Sequence, residues 1–232
     1  MERHFEKELD ELKTTINKMA SIVDEQVENS FKDMEDPEVR LFKDVKQRDR
    51  EVDAYDNLIM AQCENLLALY QPVATDLRFI LTAIKIDSQL ERCGDIAVNI
   101  VQRVKKTDNF RNIISQTDLP EMAKIAREMV KDAITSFINR DVELAKTIWK
   151  KDDIVDDFNK KIFKQLVDMI QSNPTLAEVC SHLVVLSRQI ERLADHATNI
   201  SEDVVFLVEA EIIAHKKKLS NFQLPGEETT VH

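Results

Sequence analysis

The sequence predicts an all-α protein built from two tandem, homologous three-helix bundles. Three observations support this fold class: glycine is scarce, apolar residues recur with a helical period along nearly the whole chain, and one part of the sequence repeats another. Only two glycines occur among the 232 residues, whereas average usage would give roughly sixteen. Folds that depend on glycine turns, such as hairpin-rich sheets, dinucleotide folds and glycine-rich phosphate loops, are therefore disfavoured.

The apolar pattern predicts six long helices. In the first helix, apolar residues recur at alternating steps of four and three, which is the seam pattern of packed helices: Phe5, Leu9, Leu12, Ile16, Met19 and Val23. Asp36 and Pro37 resemble an N-cap followed by the first residue of a second helix. Asp141 is a candidate cap for the fifth helix, and Thr175 to Glu178 has the form of a capping box for the sixth. The first predicted helix ends at residue 36. The other five are predicted over 37–70, 74–106, 121–139, 142–172 and 175–217.

An internal repeat relates the two halves of the chain. Residues 89–100 align with residues 189–200 without a gap, and seven of the twelve positions are identical. Residues 49–53 align with 152–156 at a slightly larger offset, as short differences in loop length would produce. We therefore predict a first bundle over 1–106, a linker over 107–120 and a second bundle over 121–217. Residues 218–232 are polar and are expected to form a flexible tail.

Both repeats carry the same two acidic motifs, a D-x-x-x-D on the middle helix and an E-x-x-x-D on the last helix. Spacing i,i+4 places both carboxylates of a motif on one helix face, about 6 Å apart. Oxygen ligands of this kind suit magnesium, manganese, calcium, iron or zinc. The candidate metal ligands are Asp49, Asp53, Glu91 and Asp95 in the first repeat, and Asp152, Asp156, Glu191 and Asp195 in the second.

The residues alone leave a second interpretation of these acids open. Several of them are in step with apolar seams, where an ionised carboxylate needs a partner. Arg92 and Arg192 adjoin the two glutamates and could neutralise them in place of a metal ion. Asn99 and Asn199 lie one turn beyond each motif and extend the rows as neutral ligands or supporting donors. In the first repeat Asp87 also lies one turn before Glu91, where the second repeat has Ser187.

Composition narrows the possible function classes. The net charge of -11 disfavours nucleic acid as the main partner, and no run of apolar residues is long enough for a membrane span. Three widely spaced cysteines without a C-x-x-C pair favour reduced thiols in a cytosol. The E-x-x-H motif of di-iron bundles, the nucleophile elbow and the P-loop are all missing from the sequence, which disfavours an enzyme.

Three stretches of the sequence carry a family resemblance: residues 70–78 (YQPVATDLR), 90–100 (LERCGDIAVNI) and 187–200 (SRQIERLADHATNI). Together with the tandem acidic motifs, they resemble the PhoU family, the cytosolic regulators of bacterial phosphate uptake. The resemblance implies two three-helix bundles with metal clusters on their acidic faces. The eight acids above would be the ligands, and Asn99 and Asn199 would support them.

The resemblance also implies an adaptor rather than an enzyme. Such a protein would couple the ATPase of a phosphate ABC transporter to a sensor histidine kinase and repress the phosphate regulon when phosphate is plentiful. It would be cytoplasmic and would reach the membrane only through these partners, and long exposed helices favour a homodimer. Three alternatives remain: an accessory protein of a simpler phosphate permease, a carboxylate-bridged metalloenzyme, and a purely structural helical scaffold.

Overall fold

The computed structural model describes residues 2–36 and 38–210. Within these ranges there is no β-strand, and the all-α prediction is confirmed. Helices α1, α2 and α3 pack together as one bundle, and α5, α6 and α7 pack as the other. The helices are α1 (Glu2–Glu35), α2 (Phe42–Tyr70), α3 (Ala74–Lys106), the short α4 (Arg111–Ile114), α5 (Leu119–Asn139), α6 (Val142–Ser172) and α7 (Ala177–Glu209).

The buried residues follow the predicted seams. On α1, Leu12, Ile16, Met19 and Val23 are fully buried, as expected for apolar residues that recur every three or four positions. The middle helices α2 and α6 each bury a single narrow stripe, whereas α3 and α7 bury residues on most of their circumference. The reason is that α3 and α7 pack against each other as well as against their own bundles.

The start of α2 differs from the prediction. The helix begins at Phe42, so the expected start at Pro37 is wrong. Carboxylate oxygens accept hydrogen bonds from backbone N–H groups in the segment where the helix was predicted to start. Asp36 Oδ1 accepts a hydrogen bond of 2.9 Å from the amide two residues further on, and Asp33 Oδ1 accepts one of 2.7 Å from the N–H of Leu41. Side chains thus hold residues 38–41 in a non-helical turn.

The segment between the bundles is a packed connection. It contains a short 3₁₀ turn and α4, where the sequence pattern suggested only a linker. Arg111 is buried at this point, and its guanidinium donates hydrogen bonds to the backbone carbonyls of Asp33 and Asp36. It also lies 2.9 Å from a carboxylate oxygen of Asp108. The side chain of Arg111 therefore ties the connection to the end of α1.

One of the two predicted caps in the second repeat is confirmed. Asp141 accepts a 2.9 Å hydrogen bond from the N–H of Leu144 and caps α6. The capping box at Thr175 is wrong, because residues 174–176 form a 3₁₀ turn instead. In that turn the side chain of Asn173 accepts from the N–H of Thr175, and α7 begins at Ala177.

The structure describes α7 to Glu209. The predicted continuation to Lys217 and the predicted tail over 218–232 lie outside the described residues. None of the helices in the described ranges has the length and apolar character that crossing a membrane requires.

Polar contacts line the packing of α3 against α7. Lys85 Nζ lies 2.9 Å from a carboxylate oxygen of Asp203, and the guanidinium of Arg103 lies 3.2 Å from His182 Nδ1. Low residue numbers on α3 pair with high numbers on α7, so the two helices run antiparallel. This helix pair joins the bundles directly.

Candidate metal centres

The antiparallel packing of α2 and α3 places the two acidic motifs of the first repeat opposite each other. We name Asp49, Asp53, Glu91 and Asp95 the first acidic row. Burial raises the pKa of Asp49, and the carboxylates of Asp53 and Asp95 raise it further. Burial likewise raises the pKa of Glu91, with added contributions from Asp95 and Asp53. Like charges on neighbouring helices therefore interact across the predicted site.

A close approach between helices positions Asp49. Gln26 of α1 is fully buried, and its Nε2 donates to Asp49 Oδ1 at 3.3 Å and to the backbone oxygens of Val45 and Gly94. A β-carbon on Gly94 would lie 2.9 Å from Gln26 Oε1, inside normal van der Waals contact. The small residue that the sequence places here leaves room for the side chain that orients Asp49.

The second repeat builds an equivalent row between α6 and α7. We name Asp152, Asp156, Glu191 and Asp195 the second acidic row. Burial raises the pKa of Asp152 to about 6, and the charges of Asp195 and Asp156 add to the effect. Burial also raises the pKa of Glu191, although the Arg188 guanidinium lowers it. All eight predicted ligands thus fall into two rows that match the two repeats.

The arginines near the acidic rows act on different groups: some on the carboxylates of a row, and some on His196 at the contact of α3 with α7. Arg92 lowers the pKa of Glu91, so it lies within electrostatic reach of the first row. Burial lowers the pKa of His196 to about 4, and the charges of Arg92 and Arg192 contribute. The ion pair in the second row comes from Arg188, whose Nη1 lies 2.6 Å from Glu191 Oε1. The sequence pattern did not point to Arg188, although this residue lies one turn before Glu191.

The two asparagines have different surroundings. Asn99 is exposed. Asn199 donates through Nδ2 to Gln89 Oε1 at 3.2 Å, and His196 Nδ1 contacts the same oxygen at 2.8 Å. Asn199 therefore contributes to the contact between the bundles, and its support of a metal ion stays a prediction.

A third pair of acids extends the first row by one turn. Asp87 is buried, and no N–H or hydroxyl donor reaches its carboxylate; the group that hydrogen-bonds to it is the carboxyl of Asp56, which requires one of the two acids to be protonated. Burial raises its pKa to about 8, and the carboxylates of Asp56 and Glu91 contribute. The sequence pattern points to Asp87 but not to Asp56. The signal that could have found Asp56 is its position three residues after Asp53, on the same face of α2.

The chemistry of the rows fits cations held by oxygen ligands. Carboxylates that raise one another's pKa are stabilised when a positive charge enters between them. Within residues 2–36 and 38–210, no three His, Cys, Asp or Glu side chains converge closely enough to hold a metal ion on their own. That these rows hold a metal ion therefore stays a prediction.

Comparison with known proteins identifies the repeat. The family model described as the PhoU domain matches residues 16–104 and matches again over residues 119–204. The chain belongs to the PhoU family. Each matched segment contains one of the two acidic rows, so the duplication inferred from the sequence corresponds to two copies of this domain.

Curated relatives match this chain over most of its length. The phosphate-specific transport system accessory protein PhoU homolog of Aquifex aeolicus is 36% identical over 210 residues, covering 90% of this chain and 95% of the relative. The phosphate-specific transport system accessory protein PhoU homolog 1 of Thermotoga maritima is 31% identical over 205 residues, covering 88% of each chain.

Solved structures share the fold. The crystal structure of PhoU from Pseudomonas aeruginosa superposes with a TM-score of 0.83 at 26% identity, covering 89% of this chain and all of the other. The phosphate transport system regulatory protein PhoU from Streptococcus pneumoniae superposes with a TM-score of 0.77, covering 90% and 99% of the two chains. At 24% identity the second comparison supports the fold alone.

Proposed function

We propose that this chain is a metal-binding accessory protein of phosphate uptake. In this proposal it acts in the cytoplasm as an adaptor between a phosphate ABC transporter and a sensor histidine kinase. The observation that carries the proposal is the tandem PhoU match, with one acidic row inside each copy. The names of the relatives support the phosphate-transport role, because they describe accessory proteins of a phosphate-specific transport system.

The acidic rows would hold the cations. A bound cation would supply positive charge between carboxylates that otherwise repel one another across two helices. The chain's own contribution is to fix the ligands: Gln26 orients Asp49, and the helix pairing sets the spacing of the rows. Binding would therefore hold α2 on α3 and α6 on α7, and would set the shape and charge of the faces that partners meet.

The proposal includes no catalytic step. Burial raises the pKa of Cys63 and Cys93 to about 12, so both thiols stay protonated at neutral pH and are poor nucleophiles. Regulation would instead be a shift between bound states, in which the phosphate status of the transporter favours one set of contacts with the kinase. In phosphate-rich medium those contacts would keep the phosphate regulon repressed.

A genetic test addresses the adaptor role. Deleting the gene in its own organism should switch on a reporter of phosphate-starvation genes in phosphate-rich medium, and the wild-type chain should restore repression. A variant with Asp95→Ala and Asp195→Ala should restore it poorly. Glu64→Gln, an exposed acid on α2 outside the row, is the matched control. A reporter that stays silent after deletion would contradict the adaptor role.

A second measurement addresses the metal ligands. Purified protein is assayed for bound metals before and after the same two alanine substitutions, and the double variant should lose most of them. Unchanged metal content would remove the ligand assignment. Copurification with a phosphate permease other than an ABC transporter would instead favour the alternative role as its accessory protein.

A further inference from the structure

The face of α2 that carries acids of the first row continues along the helix as an apolar face. After Asp49, Asp53 and Asp56, the next residue in the same helical series is Met60, and Leu67 follows two turns later. Steps of three, four or seven residues keep side chains on one face of a helix. Met60 is 44% exposed, and Leu67 is only partly buried. One half of this face is therefore acidic and the other half is apolar.

Helix α3 has a matching face in the opposite order. Leu77, Leu81 and Ile84 come first along the chain, and Glu91 and Asp95 follow at the same helical spacing. Leu81 is 44% exposed, whereas Leu77 and Ile84 are partly buried. The apolar half of this face lies near the start of α3, and the acidic half lies towards its middle.

The register of α2 against α3 brings the two apolar halves together. The carboxyl of Asp56 hydrogen-bonds to that of Asp87, which fixes where the helices meet. Met60 comes one turn after Asp56 and Ile84 comes one turn before Asp87, so these apolar residues lie across from each other in the antiparallel pair. We name as the apolar patch the five residues that share this surface: Met60, Leu67, Leu77, Leu81 and Ile84.

The second bundle repeats the arrangement with less negative charge beside it. At the offset of the internal repeat, Phe163 corresponds to Met60 and is 55% exposed. The third pair is neutral in this bundle, because Ser187 Oγ donates a 2.9 Å hydrogen bond to Asn159 Oδ1. The second row also contains the ion pair of Arg188. An exposed apolar side chain next to acids thus occurs twice, and the first bundle has the more acidic surroundings.

We propose that the apolar patch and the acids beside it bind a basic amphipathic segment of a partner protein. Contiguous exposed apolar groups mark contact surfaces on soluble proteins, and the neighbouring carboxylates select the charge of the occupant. Lysine or arginine side chains would meet Asp53, Asp56 and Glu91, while apolar side chains of the same segment would cover Met60 and Leu81. An amphipathic helix that lies in a groove is recognised in this way.

The charge of the chain favours this occupant over others. A second copy of a chain with a net charge of -11, an anionic membrane and a nucleic acid would all bring like charges towards the acidic row. The proposal rests on the proposed function only in assuming that this chain acts through protein partners, and it does not depend on bound cations.

The test uses a synthetic peptide as the probe. The peptide has about eighteen residues, or five helical turns, and consists of leucine and lysine with the leucines on one face. The fluorescently labelled peptide is titrated with the full chain in chelator at neutral pH, and fluorescence anisotropy measures binding. Met60→Gln combined with Leu81→Gln should weaken binding at least about tenfold, because two apolar contacts are lost. Circular dichroism should show unchanged helical content.

The matched control is Leu58→Gln combined with Leu69→Gln. These leucines are 47% and 65% exposed, and each lies two positions away from a residue of the patch, about 200° around α2. Binding should stay within about twofold of wild type in this control. Equal losses in both double variants, or no loss in either, would overturn the proposed surface.

Two further arms test the charge and the choice of bundle. A second peptide, with glutamate in place of every lysine, should not bind, and binding as tight as that of the first peptide would overturn the basic occupant. Phe163→Gln should weaken binding less than Met60→Gln does, because the second row has less negative charge. A larger loss in Phe163→Gln would overturn the assignment to the first bundle.

Other occupants give different results. A dimer at sedimentation equilibrium that Met60→Gln with Leu81→Gln dissociates would show a second copy on the patch. Peptide binding that tightens after Lys216→Glu, Lys217→Glu and Lys218→Glu would show that the chain's own lysines occupy it. Either result would overturn a partner segment as the occupant.

Failure of this proposal is distinguishable from failure of the proposed function. Neither Met60 nor Leu81 is a predicted ligand, so their double variant should keep the metal content of wild type. If deleting the gene switches on the phosphate-starvation reporter while the double variant binds the peptide as wild type does, the proposed surface is overturned and the adaptor role stands. If the reporter stays silent after deletion but the double variant loses peptide binding, the surface stands and the adaptor role is contradicted.

Discussion

The two bundles share a scaffold, but the polar neighbours of their acidic rows differ. In the first bundle, α2 and α3 carry six carboxylates along their contact, and these interact electrostatically: Asp49, Asp53, Asp56, Asp87, Glu91 and Asp95. In the second bundle, Arg188 pairs with Glu191, and the third pair is the neutral Asn159 and Ser187. Duplication has preserved the apolar seams and the ligand positions while changing the charge around them. The two rows should therefore differ in cation affinity, and the first should bind more strongly.

The largest effect on stability is expected when the second bundle is given the carboxylate pair of the first. Asn159→Asp with Ser187→Asp replaces a hydrogen bond by two acids at a position where Ser187 is buried. In chelator at pH 8, the free energy of unfolding should fall by about 3–5 kcal/mol, because a buried charge is left without a partner. Urea unfolding measures the loss.

The control for this exchange is Ser181→Asp, an exposed position on the same helix, which should change stability by less than about 0.5 kcal/mol. Added Mn²⁺ should restore much of the lost stability in the exchanged protein by binding the folded state. Equal stability of wild type and exchanged protein in chelator would contradict the interpretation of the third pair.

The pH dependence of stability should also separate the bundles. The pKa of Asp87 in the folded protein is about 8, above its ordinary value of 3.8. The stability that its neutral form contributes is therefore fully present below pH 3.8 and is lost as the pH rises through about 8. The neutral form of Asp152 stabilises the fold in the same way, but this contribution is lost by about pH 6, which is the pKa of Asp152 in the folded protein.

Metal-free protein should accordingly lose a few kcal/mol of unfolding free energy between pH 4 and pH 8. Asp87→Ser should abolish the loss between pH 6 and pH 8 and reduce the loss between pH 4 and pH 6 to the part that Asp152 causes. Urea titrations across this range measure both, with Asp168→Asn on the exposed side of α6 as the control. Parallel curves for wild type and Asp87→Ser would contradict the buried carboxylate.

Gly94 provides a smaller contrast, since Ala194 is its counterpart. Gly94→Ala gains helix propensity of about 1 kcal/mol, but its β-carbon would press on the buried Gln26 at 2.9 Å. Displacing a buried amide from its hydrogen bonds costs about 1–3 kcal/mol. The net expectation is a loss of about 1 kcal/mol by urea unfolding. Ala194→Gly is the matched control, and a stabilised Gly94→Ala protein would exclude the close contact.

Arg188 gives the smallest expected effect. Its side chain is largely exposed where it pairs with Glu191, and such pairs contribute about 0–1 kcal/mol. Arg188→Gln should barely change stability, but it removes a positive charge that competes with a metal ion. Mn²⁺ should bind the second row up to about fivefold more tightly, by calorimetric titration. Weaker binding would show that Arg188 organises the site.

The sequence predicted elements whose cause is local. Apolar periodicity located the long helices, and Asp141 marked the start of α6 because its side chain caps its own helix. The start at Pro37 was wrong because Asp33 and Arg111, which lies far along the chain, hold the preceding turn. Those contacts are tertiary and leave no periodic signal.

The same distinction applies to the candidate site. The i,i+4 motifs located both acidic rows, since each motif lies on a single helix face. Asp56 was missed because its meeting with Asp87 depends on the register of α2 against α3. The position of Asn199 beside Gln89 likewise depends on how one bundle packs on the other, which neither repeat encodes by itself.

Helices α3 and α7 pack against each other, so this helix pair belongs to both bundles. Each of them carries half of one acidic row and also forms the junction, where Lys85 meets Asp203 and His196 meets Gln89. A movement of either helix would therefore change both its own acidic row and the surface on which the other bundle packs.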